Sequence, residues 1–125
     1  MSNKKQKDKK ERMLDAPLLS FEIEKHIKQL KNEPPWVSGD RNAITLLKTP
    51  RLRVVLVALR KGASLREHHA KGPITLFVLS GIIRFSVGEQ KCKLESKDLV
   101  ALDKAIPHDV EAMEDSAFLL TIVQP

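Results

Sequence analysis

From Asn42 to the end of the chain, short apolar segments alternate with turn signals, and this pattern constrains the fold most. Nine segments have strand-like alternation or β-branched content: residues 43–47, 52–59, 65–70, 74–79, 82–87, 90–94, 99–102, 109–112 and 117–123. Gly81 and Gly88-Glu89 mark tight turns between them. Because no helical pattern separates consecutive strands, the sequence predicts an all-β sandwich or barrel and excludes a parallel βαβ sheet.

One helix is predicted ahead of the strands. Its apolar stripe consists of three residues at helical spacing, Ile23, Ile27 and Leu30. Ser20 is a candidate N-cap. Pro34-Pro35 ends the helix after about Asn32, because proline cannot continue it. Trp36 follows the prolines, and we expect it to pack the helix against the barrel.

The positive charge of the chain is concentrated at its N-terminus. The formal net charge is +6, and residues 1–12 carry six Lys or Arg against two acids. So little apolar content predicts a disordered basic tail over residues 1–16, followed by a helix and linker over 17–36 and one barrel domain over 37–125. The barrel region is close to neutral and the chain has four Phe, one Trp and no Tyr for base stacking, so no specific nucleic-acid partner is expected.

The sequence lacks signals for export or membrane insertion. Asp15 and Pro17 interrupt the apolar pair Met13-Leu14, so no signal-peptide h-region follows the basic tail. No apolar stretch approaches the length of a membrane span. The single cysteine, Cys92, cannot form an intramolecular disulfide, and its alternating segment is typical of a packing thiol. We therefore expect a cytoplasmic protein that does not associate with membranes.

Glycines and histidines in the strand region follow a known spacing. Gly62, His68 and Gly81 match a glycine, five residues, His-any-His, three or four residues, Glu, six residues and Gly. This pattern resembles the first motif of the cupin family, and His108 matches the histidine of that family's second motif. The resemblance covers about residues 42–125. It implies an all-β double-stranded β-helix, the jelly-roll cupin barrel, with one short N-terminal helix ahead of it.

The resemblance also indicates where the family holds a metal. The second histidine of the first motif falls on Ala70 and its glutamate on Ile74, which leaves His68 and His108 at two of four ligand positions. His69 is a poor substitute unless a bulge intervenes, because adjacent side chains on a strand point to opposite faces. We expect no resident cofactor. If a divalent ion such as Zn, Mn, Fe or Ni binds, its ligands are His68, His108 and, as a third candidate, His69.

Without those ligands, the same interior positions predict a mostly apolar cavity. If Ile74 points inward, alternation turns Leu76 inward as well, while Thr75 and Phe77 face the other side. The predicted ligand-binding residues are His68, Ala70, Ile74, Leu76, His108 and Val110. Few polar groups in an apolar cavity are typical of small-molecule sites. Two alternatives stay open: side chains alone fill many small barrels, and each histidine could be a core residue bonded to backbone.

Three functions are compatible with this sequence. We favour a cupin-barrel protein that binds a small organic ligand, is metal-poor, and is non-catalytic or of unknown activity, with no catalytic residue assigned. The second is a metal-dependent enzyme of the dioxygenase, isomerase or decarboxylase type that uses His68 and His108, and the third is a structural or regulatory dimeric scaffold. We also expect a homodimer, because the segment 52–59 is apolar on both faces and needs a second covering surface.

Overall fold

A computed structural model describes residues 14–68, 72–103 and 106–124, apart from the side chains of Glu67 and His68. Two helices come first, α1 (Ile23–Asn32) and α2 (Pro34–Val37). The strands that follow are β1 (Arg41–Lys48), β2 (Leu52–Leu59), β3 (Ser64–His68), β4 (Ile74–Ser80), β5 (Ile83–Val87), β6 (Gln90–Leu94), β7 (Leu99–Leu102), β8 (His108–Ala112) and β9 (Ser116–Val123). Each predicted strand segment corresponds to one of these.

The first helix starts later than predicted. Its N-cap residue is Glu22, whose side chain makes no capping hydrogen bond, so the prediction that Ser20 caps the helix is wrong. Without a side-chain cap, the buried stripe of Ile27 and Leu30 determines where the helix forms. The helix ends at Asn32, as predicted. The two prolines then open the four-residue α2, where their missing N–H groups need no intrahelical partner.

The strands form two antiparallel sheets. The five-stranded sheet has the order β1-β2-β9-β4-β7, and the four-stranded sheet has the order β3-β8-β5-β6. Gly81 occupies the turn between β4 and β5 with a φ of +86°, and a Cβ there would collide with Ser116. Glycine is therefore required at this predicted turn. The mostly β architecture with a short N-terminal helix agrees with the predicted fold class.

The main core lies between the two sheets. In β4, the residues at alternating positions are buried, namely Ile74, Leu76 and Val78, while Thr75 and Phe77 are half-buried on the opposite face. This alternation is the one predicted. Opposing residues of the four-stranded sheet complete the core, chiefly Ile83, Phe85, Leu94, Val110 and Ala112.

A second core covers the outer face of the five-stranded sheet. Leu56 and Ala58 of β2 are fully buried there beneath α1 and Trp36. The packing role predicted for Trp36 is thus confirmed. The chain's own helix supplies the second covering surface that β2 needs, which removes the argument from β2 for a homodimer and leaves that assembly as a prediction.

Most of the predicted N-terminal tail lies outside the described residues. Within the described part, the carbonyl oxygen of Leu14 accepts a hydrogen bond from the backbone N–H of Lys48, at 2.7 Å. The chain therefore contacts β1 at Leu14. Over the described ranges, neither helix combines the length and apolarity needed to cross a bilayer.

Candidate functional site

A cavity of about 700 Å³ lies inside the barrel, with walls from both sheets. Its apolar lining residues are Pro35, Ala43, Val55, Val57, Leu65, Ile74, Leu120 and Ile122. Its polar lining residues are Arg41, Asn42, Arg53, His108 and Gln124. This volume falls within the range of about 300–1,000 Å³ that is usual for small-molecule sites. Among the described lining residues, none is acidic.

The register of the five-stranded sheet builds one wall in rows. Arg53 pairs with Ile122, which pairs in turn with Ile74. In the next row Val55 pairs with Leu120. Because paired residues share a face and alternate residues of a strand share a face, Arg53 lies on the same inner face as Val55. An arginine thus occupies an interior position at the end of an apolar wall.

His108 lies on β8 in the opposite wall and is buried, with 5% of its surface exposed. Its Nδ1 is 3.1 Å from the carbonyl oxygen of Ile106, and since a carbonyl can only accept, Nδ1 carries the proton. In the neutral tautomer with this proton, Nε2 is the acceptor. The imidazole also stacks on Phe85, with centroids 5.3 Å apart. Packing and hydrogen bonding together fix the orientation of the ring.

The other motif histidine lies opposite His108 in the backbone. His68 and His108 are register partners between β3 and β8, although the register shifts by one residue between Leu65 and His68. Leu65 lines the cavity, so strict alternation from it would have put Glu67, not His68, in the inward register. The bulge restores His68 to the position opposite His108. The side chain of His68 itself lies outside the described part.

The structure places the remaining predicted site residues in three groups. Ile74 lines the cavity together with His108. Leu76 and Val110 are packed in the main core, with 0% and 4% of their surface exposed, and do not line the cavity. Ala70 and His69 are outside the described residues. The cavity therefore extends along the inner faces of β2 and β9 and reaches β4 at Ile74, whereas Leu76, in the same row as Leu120, is packed in the core.

Arg53 is the unusual polar group of the cavity. Within the described residues, its Nε is buried and has no hydrogen-bond partner. A buried donor without a partner costs about 1–3 kcal/mol relative to a satisfied one. Such a donor is uncommon in folded proteins, and here it belongs to a residue that lines a cavity.

The second arginine of the cavity, Arg41, has its charge neutralised by a neighbour. Its Nε and Nη2 donate to the two carboxylate oxygens of Asp40, at 2.8 and 3.0 Å. These bonds lower the pKa of the Asp40 carboxyl and raise the pKa of Arg41. Nη1 of Arg41 donates to the carbonyl oxygen of Ser64, at 2.9 Å, and so joins β1 to β3, the edge strands of the two sheets.

The described donor groups do not fit a metal centre. No group of three or more His, Cys, Asp or Glu side chains converges anywhere in the described part of the chain. At the position where the family motif places a glutamate, Ile74 is buried and apolar. The cavity wall contributes one described imidazole, from His108, whereas first-row metals need three or four ligands.

Sequence reasoning missed the arginines. Arg53 falls in a segment that we interpreted as apolar on both faces, yet it shares the period-two phase of Val55 and Val57. A charged residue in phase with a predicted interior face is the signal that could have identified it. Arg41 gives no comparable signal, because its neighbour Asp40 makes it resemble an ordinary surface ion pair.

Comparisons with known proteins agree with this architecture. A family model described as a cupin domain matches residues 55–123. An RmlC-like cupin from Shewanella frigidimarina has 18% identity and a TM-score of 0.70, covering 90% of this chain and 96% of that one. A conserved protein of unknown function from Streptococcus pyogenes has 20% identity and a TM-score of 0.67, covering 90% and 91%.

Enzymes occur among the similar structures. Salicylate 1,2-dioxygenase from Pseudoaminobacter salicylatoxidans, in adducts with gentisate, has 17% identity and a TM-score of 0.71, covering 90% of this chain but 35% of that one. A search of curated proteins finds no match. At these identities the structural likenesses establish the fold alone. The family model, however, spans more than half of the sequence, and the chain belongs to the cupin family.

Proposed function

We propose that this cupin-barrel protein binds a small organic molecule in the cavity between its sheets and does so without a resident catalytic metal. The observation that carries the proposal is the cavity of about 700 Å³, whose wall combines an apolar majority with a few polar groups. Apolar walls provide the driving force for ligand burial, while isolated polar groups orient the ligand.

The position of the cavity supports binding in preference to simple filling of the barrel. On β4, Leu76 is fully buried and belongs to the packed core between the sheets. Along β2 and β9, and at Ile74, the side chains leave a cavity of ligand size. The barrel therefore combines a packed core with a cavity, and the wall of that cavity contains polar groups.

The donor set supports a metal-poor site. His108 uses Nδ1 to bond a backbone carbonyl, and the other described lining residues are apolar, cationic or uncharged amides. The guanidinium of Arg53, which has no acidic partner among the described residues, disfavours a divalent cation, because like charges repel at short range. A protein cage for such an ion requires carboxylate, imidazole or thiolate ligands that the described wall does not gather.

The test is mass spectrometry of the full-length protein purified under native conditions, combined with elemental analysis for bound metals. We expect substoichiometric metal and a retained organic molecule, or a cavity that accepts one on addition. A stoichiometric transition metal would favour the metal-dependent enzyme, and a cavity that accepts neither metal nor organic ligand would favour the dimeric scaffold.

A further inference from the structure

We infer that the cavity takes a small amphipathic organic acid whose carboxylate pairs with Arg53. This inference rests on the proposed function, because it specifies the ligand of the same cavity. It starts from the buried Nε of Arg53, which has no hydrogen-bond partner in the described structure.

The guanidinium group of arginine has a shape that selects its partner. Nε and one terminal nitrogen point in parallel and match the two oxygens of a carboxylate side-on. An unpaired, buried Nε leaves this side of Arg53 available for such a partner. Because Arg53 lies in the inner row with Ile122 and Ile74, a carboxylate that pairs with it has its carbon chain directed along an apolar wall.

The charge balance of the cavity favours a single negative charge. Arg41 is neutralised by Asp40, with both carboxylate oxygens engaged, and is also tied to Ser64. Arg53 therefore remains as the one described guanidinium in the cavity wall without an acidic partner. One guanidinium balances one carboxylate, whereas a phosphate dianion would bring a second charge and a third oxygen into a mostly apolar cavity.

The apolar residues of the cavity wall indicate the chemistry of the remaining part of the ligand. Val55, Val57 and Leu65 face the cavity with Ile74, Leu120 and Ile122. These side chains offer no hydrogen bonds, so the part of the ligand that contacts them is a hydrocarbon chain or ring. A short-chain fatty acid or a substituted aromatic acid has this combination of one carboxylate and an apolar body.

The test compares an acid with its uncharged amide. The probes are octanoate and octanamide, and binding to the full-length protein is followed by NMR of isotope-labelled methyl groups, including those of Ile74 and Leu120. We expect both probes to shift these methyl signals. We expect octanoate to bind about tenfold or more tightly, the factor that a charge-assisted hydrogen bond supplies.

Three variants isolate the contribution of the guanidinium. Arg53→Met keeps the length of the side chain and removes its charge, and we expect octanoate binding to weaken about tenfold or more with octanamide binding unchanged. Arg53→Lys keeps the charge but loses the bidentate geometry, so its affinity for octanoate should lie between those of the natural protein and Arg53→Met. Arg51→Met is the matched control, because Arg51 is exposed and outside the cavity lining but carries the same charge.

The outcomes separate the two proposals. If the acid and the amide bind equally to the natural protein, or if Arg53→Met binds octanoate as well as the natural protein does, the role of Arg53 is refuted while ligand binding in the cavity stands. If Arg51→Met weakens octanoate as much as Arg53→Met, the preference for acids reflects net charge and the role of Arg53 is again refuted. If neither probe shifts the cavity methyl signals, both proposals fail.

Discussion

The imidazole of His108 stacks on the ring of Phe85 at an interplanar angle of 16°, and both side chains are almost fully buried. The two residues lie on neighbouring strands of the four-stranded sheet, β8 and β5. Phe85 belongs to the main core, whereas His108 faces the cavity. The packed core of the barrel thus holds the cavity histidine in place.

Substitution of Phe85 should therefore affect stability and the cavity together. We expect Phe85→Ala to lower the free energy of unfolding by about 3–5 kcal/mol, the usual cost of truncating a buried aromatic side chain. Urea denaturation measures the loss. The ring signals of His108 should also change in the folded variant. Met113→Ala, at an exposed site, is the control, and a loss below about 1 kcal/mol for Phe85→Ala would contradict the packing described.

Substitution by methionine should have different effects on the melting temperature at the two cavity arginines. Arg53→Met removes a buried donor that has no partner among the described residues, so the ligand-free variant should melt at the same temperature as the natural protein or higher. Arg41→Met should melt lower, because it loses the bonds to Asp40 and the link to Ser64. Thermal unfolding without added ligand measures both. A large drop for Arg53→Met would mean that the protein itself satisfies this guanidinium.

Restoring the ligands of the family motif should create metal binding. The double variant Ala70→His, Ile74→Glu introduces an imidazole and a carboxylate at the two motif positions that cannot coordinate a metal. Without metal we expect it to be less stable than the natural protein, because Ile74 is buried and a carboxylate there is poorly solvated. Excess zinc or manganese should recover the loss by mass action.

The natural protein provides the comparison for the metal experiment. Its melting temperature should change little with the same metals, because the described wall offers one imidazole. Strong stabilisation of the natural chain by zinc or manganese would contradict the metal-poor site. It would indicate that His69 or a neighbouring residue serves as an additional metal ligand.

We predict a homodimer that associates through the outer face of the five-stranded sheet, away from α1. Leu99 is 59% exposed there and pairs with Phe77, which pairs in turn with Leu119. Leu99→Lys should weaken association, since it puts a charge into an apolar row. Val37→Lys is the control, because Val37 is similarly exposed but lies on α2. Sedimentation at micromolar concentration measures both, and a monomeric natural protein would refute the prediction.

Most of the fold could be predicted because strands with one buried face leave a period of two in the sequence. β4 is the clearest case, with Ile74, Leu76 and Val78 buried as the alternation required. The start of α1 could not be predicted from capping chemistry. Ser20 has the right side chain, but the helix begins where its apolar stripe first meets the sheet.

The candidate site was predicted less completely because it depends on local irregularities and on neighbours distant in sequence. The one-residue shift between Leu65 and His68 alters which residues are in the inward register. Strict alternation of apolar and polar residues does not predict such a bulge. The element that covers β2 was also not predicted, because it is α1, which β1 separates from β2 in the sequence.

The side-chain link between β1 and β3 has a kinetic consequence. Along this boundary, within the described residues, the two sheets are joined by the side chain of Arg41 on the carbonyl oxygen of Ser64, and no strand ladder crosses it. Rotation of a side chain breaks such a hydrogen bond, whereas separating paired strands requires unfolding. A bound molecule should therefore exchange with solvent far faster than the barrel unfolds, and its residence time should depend on Arg41 and not on the stability of the domain.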